Sequence, residues 1–160
     1  MDDDRPQDEE TPKERADREL IELLNELRVV LPGITVLLAF LLAVPFAKGW
    51  THVTRFQRDV FVVAFLSTAV AVALLTAPSS YHRLRFRHGN KEQMVRIGNR
   101  LAIAGITASA VSLLAVVVLV MDYVVSRGAA IAAAAALFVV IALLWYGLAL
   151  VARFRDRSAG

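Results

Sequence analysis

Four runs of uncharged residues constrain this chain more than any other feature: Val29–Ala47, Val60–Tyr81, Leu101–Met121 and Gly128–Ala152, of 19, 22, 21 and 25 residues. At ~1.5 Å per residue, a helix of about 20 residues crosses a hydrocarbon layer ~30 Å thick. A buried helix of a soluble protein rarely needs so long an uninterrupted run, and four of them in 160 residues predict a polytopic membrane protein. Composition agrees: 57% of the residues are hydrophobic, against roughly 45–50% in soluble domains. The expected fold class is an all-α membrane protein with four transmembrane helices preceded by an amphipathic N-terminal helix.

The boundaries follow from changes in pattern. Residues 1–16, MDDDRPQDEETPKERA, are charged, carry two prolines and have nothing to bury, so they read as a disordered charged tail. Residues 17–31 read as an amphipathic juxtamembrane helix. Leu20, Leu23, Leu24 and Leu27 fall on one helical stripe, with Glu19, Glu22, Glu26 and Arg28 on other faces. Pro32-Gly33 then either bends that helix into the first span or sits inside one continuous helix. The transmembrane domain covers 29–152, with spans near 29–47, 60–81, 101–121 and 128–152, and 153–160 is a basic C-terminal tail. The first run is too long for the apolar core of a signal peptide, and a long acidic segment precedes it.

Charge sets the topology. Four spans put the N-terminal tail, the middle loop and the C-terminal tail on one side, and 13 Lys and Arg flank the spans there. Four lie opposite: Lys48, Arg55, Arg58 and Arg127. The richer side belongs in the cytoplasm, so both termini are expected inside. The short MDYVVSRG segment makes spans three and four a tight hairpin. Ala104, Ala108 and Ser112, with Gly105 and Ser109 beside them, form a stripe of small residues on the third span, and Ala132–Ala136 does so on the fourth. Small residues let helices approach in lipid, where apolar side chains have no preference for protein.

The same residues exclude several functions. With no cysteine, disulfides, thiolate catalysis and Cys-ligated metals are ruled out. No nucleophile–base set, metal cluster or phosphate loop is visible, so neither enzymatic activity nor a cofactor is expected. Nucleic acid is not an expected partner, because the positive charge follows the membrane borders. Ion transporters usually keep an ionisable side chain in the membrane. The four runs contain none and offer only hydroxyls such as Thr35, Thr68, Thr107 and Ser112.

The candidate contact residues cluster at the expected cytoplasmic border. Residues 82–100 hold 6 bases and 1 acid, whereas residues 1–28 hold 11 acids and 5 bases. Tyr81 at headgroup depth, followed by His82, Arg83 and Arg87, is an interfacial anchor on anionic lipid in one reading. In the other, His82 is a titrating switch near neutral pH. Arg96 and Arg100, one turn apart, suit an anionic headgroup. Glu22, Asn25, Glu26 and Arg28 crowd against the membrane, and Glu22 with Glu26 is a like-charge pair at i, i+4 that a cationic neighbour would relieve. Docking of Glu22 or Glu26 on Arg83 or Arg87 is therefore expected.

ELLNELRV (Glu22–Val29) with Pro32-Gly33, FLLAVPF (Phe40–Phe46) and APSSYHRLRF (Ala77–Phe86) resemble a bacterial family of small four-span membrane proteins filed as a domain of unknown function. The likeness covers roughly residues 19–152. It implies that Glu22–Arg28 and Tyr81–Arg83 belong to a shared core design, and it brings no catalytic residue. Some relatives carry an automatic sodium:proton antiporter label, which the absence of a membrane acid in this chain does not support. The expected function is a structural or interaction component of the membrane, in contact with a bilayer of anionic headgroups and with a homo-oligomeric or membrane-protein partner. The alternative is a small oligomeric ion or solute transporter.

Overall fold

The computed structural model describes residues 12–84 and 91–144, and every regular element among them is helical. Helix α1 spans Pro12–Ala43, α2 Arg55–Leu84, α3 Lys91–Val124 and α4 Arg127–Ala142. Two short 3-10 turns, Val44–Phe46 and Lys48–His52, connect α1 to α2. Three stretches are long and apolar enough to cross a membrane: Leu24–Phe46, Arg55–Pro78 and Arg96–Val124. Over its described 16 residues α4 is a shorter apolar helix, and the remainder of the fourth run, from 145 onward, lies outside the described residues.

The juxtamembrane helix is not a separate element. Of the two geometries open at Pro32, the chain adopts the continuous one: α1 passes through Pro32 and Gly33 without a break. A proline costs the helix one backbone bond, here to the carbonyl of Arg28, in an exposed turn that can satisfy it from outside. The helix also begins at Pro12, so the last residues of the expected tail are helical. Proline is well suited to that first position, since its missing N–H would have no partner there.

Buried positions recur every seven residues. On α1 they are Leu27, Ile34 and Leu41. On α2 they are Phe61, Thr68 and Leu75, each followed three residues later by a second one: Ala64, Ala71 and Pro78. On α3 Gly98, Gly105 and Ser112 do the same. A 3.5-residue repeat holds a seam on one side of a helix over many turns and goes with left-handed supercoiling of the bundle. Two core clusters result. Leu27, Ile34, Ala71, Leu75 and Ala102 form one, and Leu41, Phe61, Ala64 and Ala115, with Trp50 against them, form the other.

The most extensive interface joins α2 to α3; α1 lies across both, and α4 packs on α3 alone among the described elements. The α2–α3 approach is close because its residues are small. Ala64 and Ala71 are fully buried, and a Cβ added at Gly105 would lie 2.7 Å from Cγ of Leu75. The expected stripe on α3 is thus shifted: Ala104 is exposed, and the buried line runs through Ala102, Gly105, Ser112 and Ala115. On α4 the packed face is Ala130 with the half-buried Ala134 and Leu137, while Ala132, Ala135 and Ala136 face outward. Large apolar side chains cover the outside, among them Phe40, Leu66, Val70, Ile103 and Phe138. In water such patches drive association; against lipid they are the ordinary surface.

Two glycine substitutions should separate packing from propensity. Gly105→Ala drives a methyl group into Leu75 and is expected to destabilise the bundle by about 1–3 kcal/mol. Gly33 has no neighbour within 4 Å of an added Cβ, so Gly33→Ala should be neutral or stabilising by up to about 1 kcal/mol. Unfolding in mixed micelles with increasing denaturing detergent measures both.

Candidate functional site

Polar side chains inside the bundle occur at two depths. The deeper set lies on the α2–α3 seam. Thr68 and Ser112, both fully buried, place their hydroxyl oxygens 2.5 Å apart and within 2.7 and 3.0 Å of the Ala64 carbonyl. Each hydroxyl has one hydrogen, so one donates to the carbonyl and the other donates within the cluster. Several other hydroxyls turn back on their own helix. Thr35 donates to Leu31 and Pro32, Thr107 to Ile103 and Ser109 to Gly105. Among the described residues no buried side-chain polar atom lacks a partner.

The second set lies where α2 begins and α3 ends. Thr54 and Gln57 form a capping box: the Gln57 N–H donates to Thr54 Oγ1 at 3.2 Å, and the Thr54 N–H donates to Gln57 Oε1 at 3.0 Å. That fixes the Gln57 side chain, which is 6% exposed, and aims its Nε2 at Oδ2 of Asp122, 2.9 Å away. Asp122 Oδ1 accepts from Arg127 Nε at 2.5 Å, and the Arg127 guanidinium lies over the Phe56 ring, 3.6 Å from its centroid. The Asp122 side chain is buried and that of Arg127 half exposed. A cation over an aromatic face is attracted by the ring quadrupole. The Met121 carbonyl closes α3 by accepting from Val125 and Ser126, and Ser126 caps α4 by accepting from the Ala129 N–H. One polar chain, Thr54–Gln57–Asp122–Arg127–Phe56, therefore ties three helix ends together. Both Asp122 oxygens are occupied, so it is a latch rather than a site with a free reactive group.

Beside the latch lies an apolar groove of about 340 Å³, lined chiefly by Val44, Trp50, Val53, Leu119, Val120 and Tyr123. The Lys48–His52 turn folds Trp50 back onto Phe61, edge to face with centroids 4.6 Å apart. Gly49 meets Tyr123 in its wall: a Cβ there would lie 2.9 Å from the tyrosine oxygen.

The contact residues expected from sequence lie at the opposite end. Glu22, Asn25, Glu26 and Arg28 are exposed on α1, and Arg96 and Arg100 are exposed near the start of α3. Leu27, in the same α1 turn, is buried in the cluster of Leu75 and Ala102. That packing brings the acidic turn of α1 to the end of the bundle that carries Arg96 and Arg100. The side chains of Tyr81, His82 and Arg83, and all of Arg87, lie outside the described residues, so the proposed docking on Arg83 or Arg87 does too. No group of three or more His, Cys, Asp or Glu suited to a metal occurs among the described residues.

Sequence reasoning missed Gln57, Asp122 and Arg127. Asp122 follows the third run by one residue and so reads as loop, whereas α3 continues through Val124. The available signals were the Thr54-x-x-Gln57 spacing of a capping box and the opposite charges of Asp122 and Arg127, five positions apart. Arg127→Gln should loosen the first turn of α4 and leave the Thr54–Gln57 cap intact. Hydrogen exchange read by mass spectrometry should then show faster exchange across 127–131 and unchanged exchange across 54–60.

The model of a family described as "Family of unknown function (DUF6328)" matches residues 9–149, so the chain belongs to that family. No curated protein and no solved structure matches it.

Proposed function

We propose that this chain is a multi-pass component of the bacterial cytoplasmic membrane, with four spans and both termini in the cytoplasm, and that it acts as a structural or interaction element rather than an enzyme. The observation that carries this reading is the form of α1. A single helix enters the membrane window at Leu24 and continues outward to Pro12. At ~1.5 Å per residue its 32 residues extend about 48 Å, well beyond a hydrocarbon layer of ~30 Å. The exposed Glu22, Asn25, Glu26 and Arg28 are thus presented at the border on a rod anchored by Leu27 and Ile34. Such a rod offers a fixed charged face to a partner, and its acidity favours a cationic one.

The handling of hydroxyls speaks against the transporter alternative. Thr68, Ser112, Thr107 and Ser109 are bonded to their own helix or to each other, so these hydroxyls offer no free groups to line a polar path. Affinity capture from crosslinked membranes should recover a stable partner or a second copy of the chain, and Glu22→Lys with Glu26→Lys should sharply reduce that recovery. Reconstituted protein should carry proton and sodium no faster than empty liposomes. Flux that rises with protein content would overturn the reading.

The bias of Lys and Arg supports the orientation. The chain has no native cysteine, so single substitutions report cleanly. A membrane-impermeant thiol reagent added outside should label His52→Cys and spare Asn90→Cys; the reverse pattern would place the termini outside.

A further inference from the structure

Exposed basic residues flank the lining residues of the apolar groove in sequence. Lys48 sits between two groove-lining residues, Ala47 and Gly49, and is exposed. His52 immediately precedes the lining residue Val53, and Arg55 follows two residues after it; both are exposed. The other described charges at this end are Arg58, Asp59, Asp122 and Arg127. Asp122 is already held by Gln57 and Arg127, which leaves Asp59 as the acid to set against Lys48, Arg55 and Arg58. An apolar trough flanked by exposed bases matches one kind of molecule, with a hydrocarbon tail and an anionic head. Trp50 and Tyr123 mark the depth at which those two parts meet, because amphipathic rings settle where headgroup gives way to hydrocarbon.

We infer that the groove between the Lys48–His52 turn and the end of α3 is a binding site for an anionic phospholipid of the surrounding bilayer. One acyl chain lies along Trp50, Val53, Leu119 and Val120, and the phosphate meets Lys48 and Arg55. Tyr123 and Gly49 meet in the wall of the trough. The latch serves this site by holding the end of α3 against the start of α2, which keeps the two walls of the groove at a fixed separation. The inference rests on membrane insertion, and the experiment scores insertion separately.

Trp50 is both a wall of the groove and its reporter. Trp145→Phe leaves it the single tryptophan, and flotation of the proteoliposomes establishes insertion before any spectrum is taken. Two membranes of identical composition are compared, phosphatidylcholine with a minor fraction of phosphatidylglycerol. Bromine is placed on the acyl chains of the phosphatidylglycerol in one, and on an equal fraction of the phosphatidylcholine in the other. At roughly 1 kcal/mol for each of its two cations, a site for the anionic lipid prefers phosphatidylglycerol by about thirtyfold, so the first membrane quenches Trp50 far more effectively than the second. Lys48→Gln with Arg55→Gln should bring the two lipids level, and Val120→Phe, which fills the trough, should weaken quenching by both. Equal quenching by the two lipids in the parent protein overturns the inference. So does a preference that survives Lys48→Gln with Arg55→Gln. Protein that fails to float refutes membrane insertion instead.

Discussion

The approach of α2 to α3 through small side chains is the contact on which the other helices are arranged. In hydrocarbon, an apolar side chain loses nothing by facing a lipid tail, so hydrophobic burial does little to hold two membrane helices together. What remains is dispersion, which falls off steeply with distance, and hydrogen bonding. Ala64, Ala71, Ala102 and Gly105 bring the two backbones close enough for the first, and the oxygen cluster of Thr68, Ser112 and Ala64 supplies the second at the same line. Helix α1 lies in the trough made by this pair, with Leu27, Ile34 and Leu41 as its keys, while α4 rests on the far side of α3.

Polar groups are distributed by depth in a way that follows from the cost of leaving them unpaired. Deep in the bundle the buried polar side chains are the hydroxyls of Thr68 and Ser112, which meet at the Ala64 carbonyl. Amide and carboxylate appear at the end of the bundle, where Gln57 and Asp122 satisfy each other and the half-exposed Arg127 carries the compensating charge toward water. The latch therefore needs no charge in the hydrocarbon core. It fixes the relative height of three helix ends by hydrogen-bond geometry, which is directional, where the apolar seam alone would tolerate sliding.

The all-helical class and the positions of three helices long and apolar enough to cross a membrane were legible, because length without charge is a one-dimensional property that no tertiary context overrides. The short connection between α3 and α4 was legible too. The seam was not legible as such: in a run like Val60–Tyr81, outward-facing Val70 and buried Ala71 are both apolar, so hydropathy carries no phase. The phase was present only in the sevenfold spacing of Leu27, Ile34 and Leu41 and in the placing of small residues, which is why the expected stripe on α3 included the outward-facing Ala104. Asp122 was hidden by a different logic. A charge at the edge of an apolar run marks the end of the span by composition, yet a helix ends where its backbone bonds end, and α3 keeps its bonds for nearly another turn.

The long reach of the latch has a consequence for how the chain is made. Gln57 and its partner Asp122 are 65 residues apart, and Thr68 is 44 residues from Ser112. When the first two spans leave the ribosome, the inward-facing amide of Gln57 has only its own cap for company, and Thr68 only its own helix. The first hairpin is thus an unfinished half until α3 arrives, whereas α3 and α4 meet within a few residues of synthesis. The third helix completes the bundle, since it carries the partners of both polar contacts of the second.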